Sequence, residues 1–98
     1  MSHFTLYVVC YDICDPKRLR QVYKVMRGFG EHWQYSVFGC ELTEARRVRL
    51  LSALEDVIDH TVDQVLLAPM GPVGGHNQQQ IEILGKPRPR SPRGPTIV

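Results

Sequence analysis

The sequence has few of the features that mark exported, membrane or metal-cluster proteins. Among its 98 residues, no apolar run approaches the roughly 20 residues needed to span a bilayer. The longest run near the N-terminus, Phe4 to Tyr11, lacks the basic flank and cleavage-like site of a signal peptide. Only three cysteines occur, an odd number, and no histidine pair accompanies them at ligand spacing. We therefore expect reduced thiols in a cytoplasmic protein with no membrane partner.

The sequence has no excess of basic charge outside its C-terminal end. The net charge is +2, but residues 86–98 hold four basic side chains and no acidic one. Residues 1–85 therefore carry eight basic and ten acidic side chains, so nucleic-acid binding there would depend on local patches. The same 86–98 segment contains four prolines, which predicts a flexible Pro/Arg-rich tail. This tail is either dispensable or an arm that docks on a partner protein or its DNA.

The first half of the chain gives alternating strand and helix signals. Residues from Phe4 to Asp12 predict a central strand, because apolar side chains occupy both of its faces. Asp15 as N-cap predicts a helix over Pro16 to Arg27. Its apolar stripe consists of Leu19, Val22, Tyr23 and Met26. The β-rich stretch from Trp33 to Leu42 fits either one bent strand or a tight hairpin, since no Asn-Gly or Asp-Gly marks a turn.

The second half predicts another helix and two strands. Thr43 caps a helix of about Glu44 to Ile58. Its expected core stripe is Leu50, Leu54, Val57 and Ile58. Val62 to Ala68 predicts a strand ended by Pro69, and after a loop Gln80 to Leu84 predicts a short final strand.

This order of elements predicts the α+β class. Two helices on one face of a small antiparallel sheet form a ferredoxin-like βαββαβ sandwich, here with an added C-terminal strand. We expect one domain over residues 1–85 and the tail over 86–98. A domain of this size has a modest core, and dimerisation would bury more surface. The fold alone does not indicate a function.

Several short motifs, in the right order, resemble the CRISPR-associated Cas2 family. The resemblance covers residues 4–86 and depends on the combination of motifs. These motifs are Tyr11-Asp12-Ile13, Lys17-Arg18-Leu19-Arg20, Gly30, Gln34-Tyr35-Ser36-Val37-Phe38, Glu41-Leu42, the strand Asp63 to Pro69, and a late strand ending near Gly85.

The resemblance implies a homodimer whose sheets face each other. It also implies a metal-dependent nuclease acting on RNA or duplex DNA, and a scaffold that bridges dimers of a CRISPR integrase during spacer insertion. Asp12 would be the catalytic, metal-binding carboxylate, one from each subunit, with Mg²⁺ or Mn²⁺ as cofactor. Tyr11, Arg18, Arg20 and Phe38 match positions that matter in some members. His32 stands where the family often has arginine.

Asp12 is chemically suited to that role only as a pair. By itself, an aspartate at this position is more often a strand-end cap or turn former. Two carboxylates ~5 Å apart repel by about 3 kcal/mol at an effective dielectric near 20, so the pair would bind a proton or a cation. A hard cation such as Mg²⁺ suits two carboxylates completed by water.

The first predicted helix carries a basic stripe that could contact phosphate. Its members are Lys17, Arg20, Lys24 and Arg27, with Arg18 beside them. The alternative is an ordinary solvated face. Trp33 and Tyr35 could stack on bases, although packing within the sheet is the simpler expectation.

Two functions within the family and one outside it remain open at this point. The chain could be a DNA-binding scaffold for the integrase, or a metal-dependent endonuclease, and these are compatible. The alternative is a toxin-like endoribonuclease or a regulatory ferredoxin-like domain. Expected partners are a second copy, the integrase, and DNA or RNA.

Overall fold

The computed structural model describes residues 3–74 and 82–85. Four strands form one antiparallel sheet in the order β2-β3-β1-β4. The elements are β1 (Thr5–Asp12), α1 (Pro16–Arg27), β2 (Glu31–Gln34), β3 (Val37–Leu42), α2 (Glu44–Glu55) and β4 (Gln64–Pro72). This topology confirms the ferredoxin-like βαββαβ prediction.

The two predicted N-caps fix where the helices begin. The Asp15 carboxylate accepts a hydrogen bond from the Arg18 backbone N–H at 2.9 Å, and the Thr43 hydroxyl accepts one from the Arg46 N–H at 3.2 Å. These contacts satisfy donors that a helix N-terminus otherwise leaves unpaired. The α2 helix ends at Glu55, three residues before the predicted end at Ile58.

One hydrophobic core lies between the helices and one face of the sheet. Its fully buried helical members are Val22, Met26 and Leu50, and Leu54 is 2% exposed. The strands contribute Val9, Tyr11, Phe38, Cys40 and Leu42. Leu19, predicted for the same stripe, is 39% exposed and lies outside this core.

The β-rich stretch that ends at Leu42, for which the sequence allowed either one bent strand or a tight hairpin, forms a hairpin. β2 and β3 pair in antiparallel register and are joined at Tyr35 and Ser36. Tyr35 has a φ of +39°, in the left-handed region that residues other than glycine rarely occupy. The turn therefore uses a tyrosine where a glycine or asparagine would be expected.

The expectation that Pro69 ends the fourth strand is wrong. β4 begins at Gln64 and continues to Pro72, with Tyr7 opposite Pro69. β4 is an edge strand, and its pairing with β1 shifts register between Tyr7 and Thr5. Edges and irregularities of this kind are where a sheet tolerates proline.

The second face of the sheet has no described helix over it. Side chains alternate along a strand, so Val8, Cys10 and Asp12 of β1 lie opposite the core residues Val9 and Tyr11. β1 is central, as predicted, but within residues 3–74 and 82–85 the helices cover only one of its faces. We call this second surface the open face.

Parts of the predicted C-terminal region lie outside the described residues. Gln80, Ile81 and the predicted tail 86–98 are among these. Residues 82–84, the described part of the predicted final strand, are not in a strand of this chain, and Leu84 is fully exposed. No helix in the described ranges is long and apolar enough to cross a membrane. The cytoplasmic location stays a prediction.

Candidate functional site

Asp12 is the last residue of the central strand and projects from the open face. It pairs in register with Gln64 of β4 and is exposed. Within the described part of the chain, its carboxylate makes no hydrogen bond or ion pair. Its oxygens are therefore available to a cation or to a group on another molecule.

The loop that follows Asp12 is fixed by a buried carboxylate, Asp63. The Asp63 side chain is completely buried and accepts the backbone N–H of Cys14 at 2.9 Å. It also accepts the Arg18 side chain through Nε at 2.8 Å and Nη2 at 3.3 Å, and the Asp59 N–H at 2.8 Å. The Cys14 thiol donates to the Val62 carbonyl at 3.0 Å. Together these contacts tie the segment just after Asp12 to the start of β4.

The charges in this cluster reinforce each other. The hydrogen bond from Arg18 is the main cause of the pKa of Asp63 lying far below its usual value. Burial alone would raise this pKa, but the N–H groups of Asp59 and Cys14 also lower it. The same hydrogen bond raises the pKa of Arg18. Arg18, predicted as a nucleic-acid contact, is thus occupied by Asp63. Asp63 was not among the predicted site residues, because two of its three partners, Arg18 and Cys14, lie 45 and 49 positions away in the chain.

Most of the predicted nucleic-acid residues come together in a groove on the helical side of the sheet. The groove has a volume of about 770 Å³ and lies between α1 and the β2–β3 turn. It is lined by Tyr11, Lys17, Leu19, Arg20, Gln21, Tyr23, Lys24, His32, Tyr35 and Ser36. This set contains no acidic residue, and five of its members were predicted site residues: Tyr11, Lys17, Arg20, Lys24 and His32.

Aromatic rings build the inner wall of this groove. Phe38 is fully buried, and its ring centroid lies 4.9 Å from that of His32 and 5.7 Å from that of Tyr23. Phe38 therefore supports the groove from below and is not at its surface. Burial raises the pKa of Tyr11, and the nearby Tyr23 adds to the effect. The Arg27 guanidinium stacks at 5.6 Å from the Tyr23 ring, at the edge of the same wall.

Asp12 and the groove lie on opposite faces of the sheet. Tyr11 and Asp12 are neighbours in β1, so the first faces the helices and the second the open face. The predicted site residues thus divide between an acidic position and a basic, aromatic groove. Each surface can act on a ligand without the other.

A single chain does not offer a complete metal site in its described residues. No group of three or more His, Cys, Asp or Glu side chains in ranges 3–74 and 82–85 could hold a metal ion. The cysteines are free thiols, and burial raises the pKa of Cys40 to about 12, which disfavours the thiolate that binds metals. A cation at Asp12 would complete its coordination with water or with groups of a second molecule.

Comparisons with known proteins identify the family. A family model described as "CRISPR associated protein Cas2" matches residues 5–74. A CRISPR-associated endoribonuclease Cas2 of Rhodospirillum rubrum is 49% identical over 80 residues, covering 82% of this chain and 78% of that protein. One of Geobacter sulfurreducens is 40% identical over 72 residues, covering 74% of each chain.

Solved structures agree with the sequence comparisons. The crystal structure of Streptococcus pyogenes Cas2 aligns with a TM-score of 0.70 at 33% identity, over 82% of this chain and 99% of that one. A hypothetical protein, TT1823 from Thermus thermophilus, aligns with a TM-score of 0.75 at 32% identity, over 89% and 96%. The fold, the motif order and these matches show that the chain belongs to the CRISPR-associated Cas2 family.

Proposed function

We propose that this chain is a metal-dependent CRISPR endonuclease that acts as a homodimer through a pair of Asp12 carboxylates. The observation that carries the proposal is the position of Asp12, an exposed carboxylate at the end of the central strand, on the sheet face that no helix among the described residues covers. The relatives from Rhodospirillum rubrum and Geobacter sulfurreducens are named endoribonucleases, which favours RNA as a substrate. Membership of the Cas2 family argues against the alternative functions outside it, a toxin-like endoribonuclease or a regulatory ferredoxin-like domain.

The apolar character of the open face supports dimerisation. Leu66 on this face is 56% exposed, and Val8, Cys10 and Val37 are only half-buried. Two copies packed face to face would cover these side chains and bring two Asp12 residues together. Leu84, fully exposed in the single chain, is positioned near the end of a segment that could extend the partner's sheet.

The residues present fit a hard divalent cation only in such a dimer. Two Asp12 carboxylates supply oxygen donors with no competing hydrogen bonds from described residues, and oxygen ligands suit Mg²⁺ or Mn²⁺. When bound, the cation would supply Lewis-acid polarisation of a phosphodiester and a more acidic water. Asp63 and Arg18 hold the loop behind Asp12, so the carboxylate is presented from a fixed backbone.

We also propose that the dimer holds nucleic acid for a CRISPR integrase during adaptation. The exposed cations of α1 support this role, because they lie on the opposite side from the proposed dimer face. A face-to-face dimer would leave them free to contact a phosphate backbone, DNA included. This scaffold role does not require Asp12.

The test compares Asp12→Asn with Asp56→Asn, a matched change at the exposed aspartate that caps the C-terminal end of α2. We expect Mg²⁺- or Mn²⁺-dependent cleavage of an RNA oligonucleotide and of a duplex DNA to be lost in Asp12→Asn only. Light scattering should show dimers for both variants, since removing the Asp12 charge relieves repulsion. Cleavage that survives in Asp12→Asn or in excess chelator would contradict the nuclease proposal, and a micromolar monomer would contradict the dimer.

A further inference from the structure

The β2–β3 turn presents an aromatic ring in a strained position. Tyr35 is 89% exposed and holds a φ of +39°. A bulky L-residue is disfavoured in this left-handed region, which glycine and asparagine adopt more readily. An exposed tyrosine at such a position gains nothing from core packing. Strain of this kind concentrates at binding and catalytic sites.

His32 holds this turn in place. Its Nε2 lies 2.7 Å from the Tyr35 carbonyl oxygen, and because a carbonyl only accepts, Nε2–H is the donor. The His32 ring is itself fixed, with the Tyr23 ring edge-on at 5.3 Å and Phe38 at 4.9 Å. Since Nε2 is occupied, His32 acts as a support for Tyr35 more than as a phosphate ligand.

Cationic side chains line the groove next to Tyr35. Lys17, Arg20 and Lys24 are exposed, and none forms an ion pair with another described residue. On α2, by contrast, Arg47 is neutralised by Glu44 at 2.7 Å. The groove thus combines unpaired positive charge with an open aromatic surface and contains no acidic lining residue.

We propose that this groove binds an unpaired nucleotide of a single strand, with its base stacked on Tyr35 and its phosphates on Lys17, Arg20 and Lys24. Aromatic stacking combined with a cationic track is how proteins hold single strands. A blunt duplex does not offer this, because its base faces are already stacked on each other. The volume of about 770 Å³ is in the range of small-ligand sites. The inference deepens the proposed nucleic-acid role and depends on it, but uses the face opposite Asp12.

Binding of fluorescent oligonucleotides tests the site. The probes are a short single-stranded RNA, a DNA of the same sequence and a blunt DNA duplex, in chelator so that none is cleaved. We expect Tyr35→Asn to weaken binding of both single strands about tenfold and to leave duplex binding unchanged, since stacking on one ring is lost. Tyr35→Phe keeps the ring and should bind like the wild type. The RNA and DNA should bind alike, because base and phosphate are the groups contacted.

A matched pair of charge changes tests the cationic part. Lys24→Gln should lower the salt dependence of single-strand binding by about one unit, whereas Arg49→Gln, an equal charge loss on the exposed face of α2, should not. Single-strand affinity unchanged in Tyr35→Asn, or wild-type protein that binds only the duplex, would overturn the inference. Neither result depends on whether Asp12 supports cleavage, so the two proposals fail separately.

Discussion

Replacing Tyr35 by asparagine should stabilise the protein, although the residue lies in a proposed binding groove. A left-handed conformation costs an L-residue with a bulky side chain roughly 1–2 kcal/mol, and asparagine relieves much of this through local hydrogen bonds. Little is lost in exchange, because the Tyr35 side chain is 89% exposed. Burial of a whole large apolar side chain is worth about 1.5–3 kcal/mol, so the buried tenth contributes about 0.3 kcal/mol at most. The expected net gain is about 0.5–1 kcal/mol.

Urea and thermal unfolding at one fixed protein concentration measure this gain. The fixed concentration matters because the stability of a dimer depends on it. For a chain of this size, the gain corresponds to a rise in Tm of about 2–5 °C. Ser36→Asn is the matched control: it changes the other turn residue, which is not at positive φ, and should give no such rise. A Tyr35→Asn protein no more stable than the wild type would refute the argument that the turn stores strain for binding.

Three further changes test the account of the supporting structure. Because hydrogen bonding lowers the folded-state pKa of Asp63 below its ordinary 3.8, Asp63 stabilises the fold above about pH 4, and this contribution is lost as the pH falls toward the folded-state pKa. Asp63→Asn should therefore be less stable at pH 7 and lose less on acidification, and a wild-type pH profile of the urea midpoint would contradict this. Phe38→Ala should cost about 3–5 kcal/mol in urea unfolding, since Phe38 is fully buried; a loss below ~1 kcal/mol would place its ring outside the core. Ending the chain after Gly85 removes four basic residues and should weaken assembly with integrase and DNA while the dimer stays folded; unchanged affinity and salt dependence would make the tail dispensable.

The sequence predicted the structural features that depend on residues close together in the chain. The spacing of Val22 and Met26 identified the buried side of α1, and the capping side chains of Asp15 and Thr43 identified both helix starts. These features depend on neighbours within one or two helical turns, so the order of residues alone specifies them.

Features that depend on distant residues were missed or left open. The β2–β3 turn is a local feature that was left open for another reason: its left-handed position is occupied by Tyr35, so the glycine or asparagine that usually marks such a turn is absent. Arg18 looked like part of the basic stripe, but its guanidinium is paired with Asp63, 45 positions away. Only the folded arrangement shows that Arg18 supports a loop while Arg20, two residues later, lines the groove.

Mixed dimers give the most direct test of a metal site shared between two Asp12 carboxylates. Wild-type and Asp12→Asn chains would be unfolded together, refolded at different ratios, and assayed for Mg²⁺-dependent cleavage at constant total protein. If both carboxylates are required, activity follows the square of the wild-type fraction, so an equal mixture retains about a quarter of the activity. An equal mixture that retains about half would show that each subunit works alone, and would contradict the shared site.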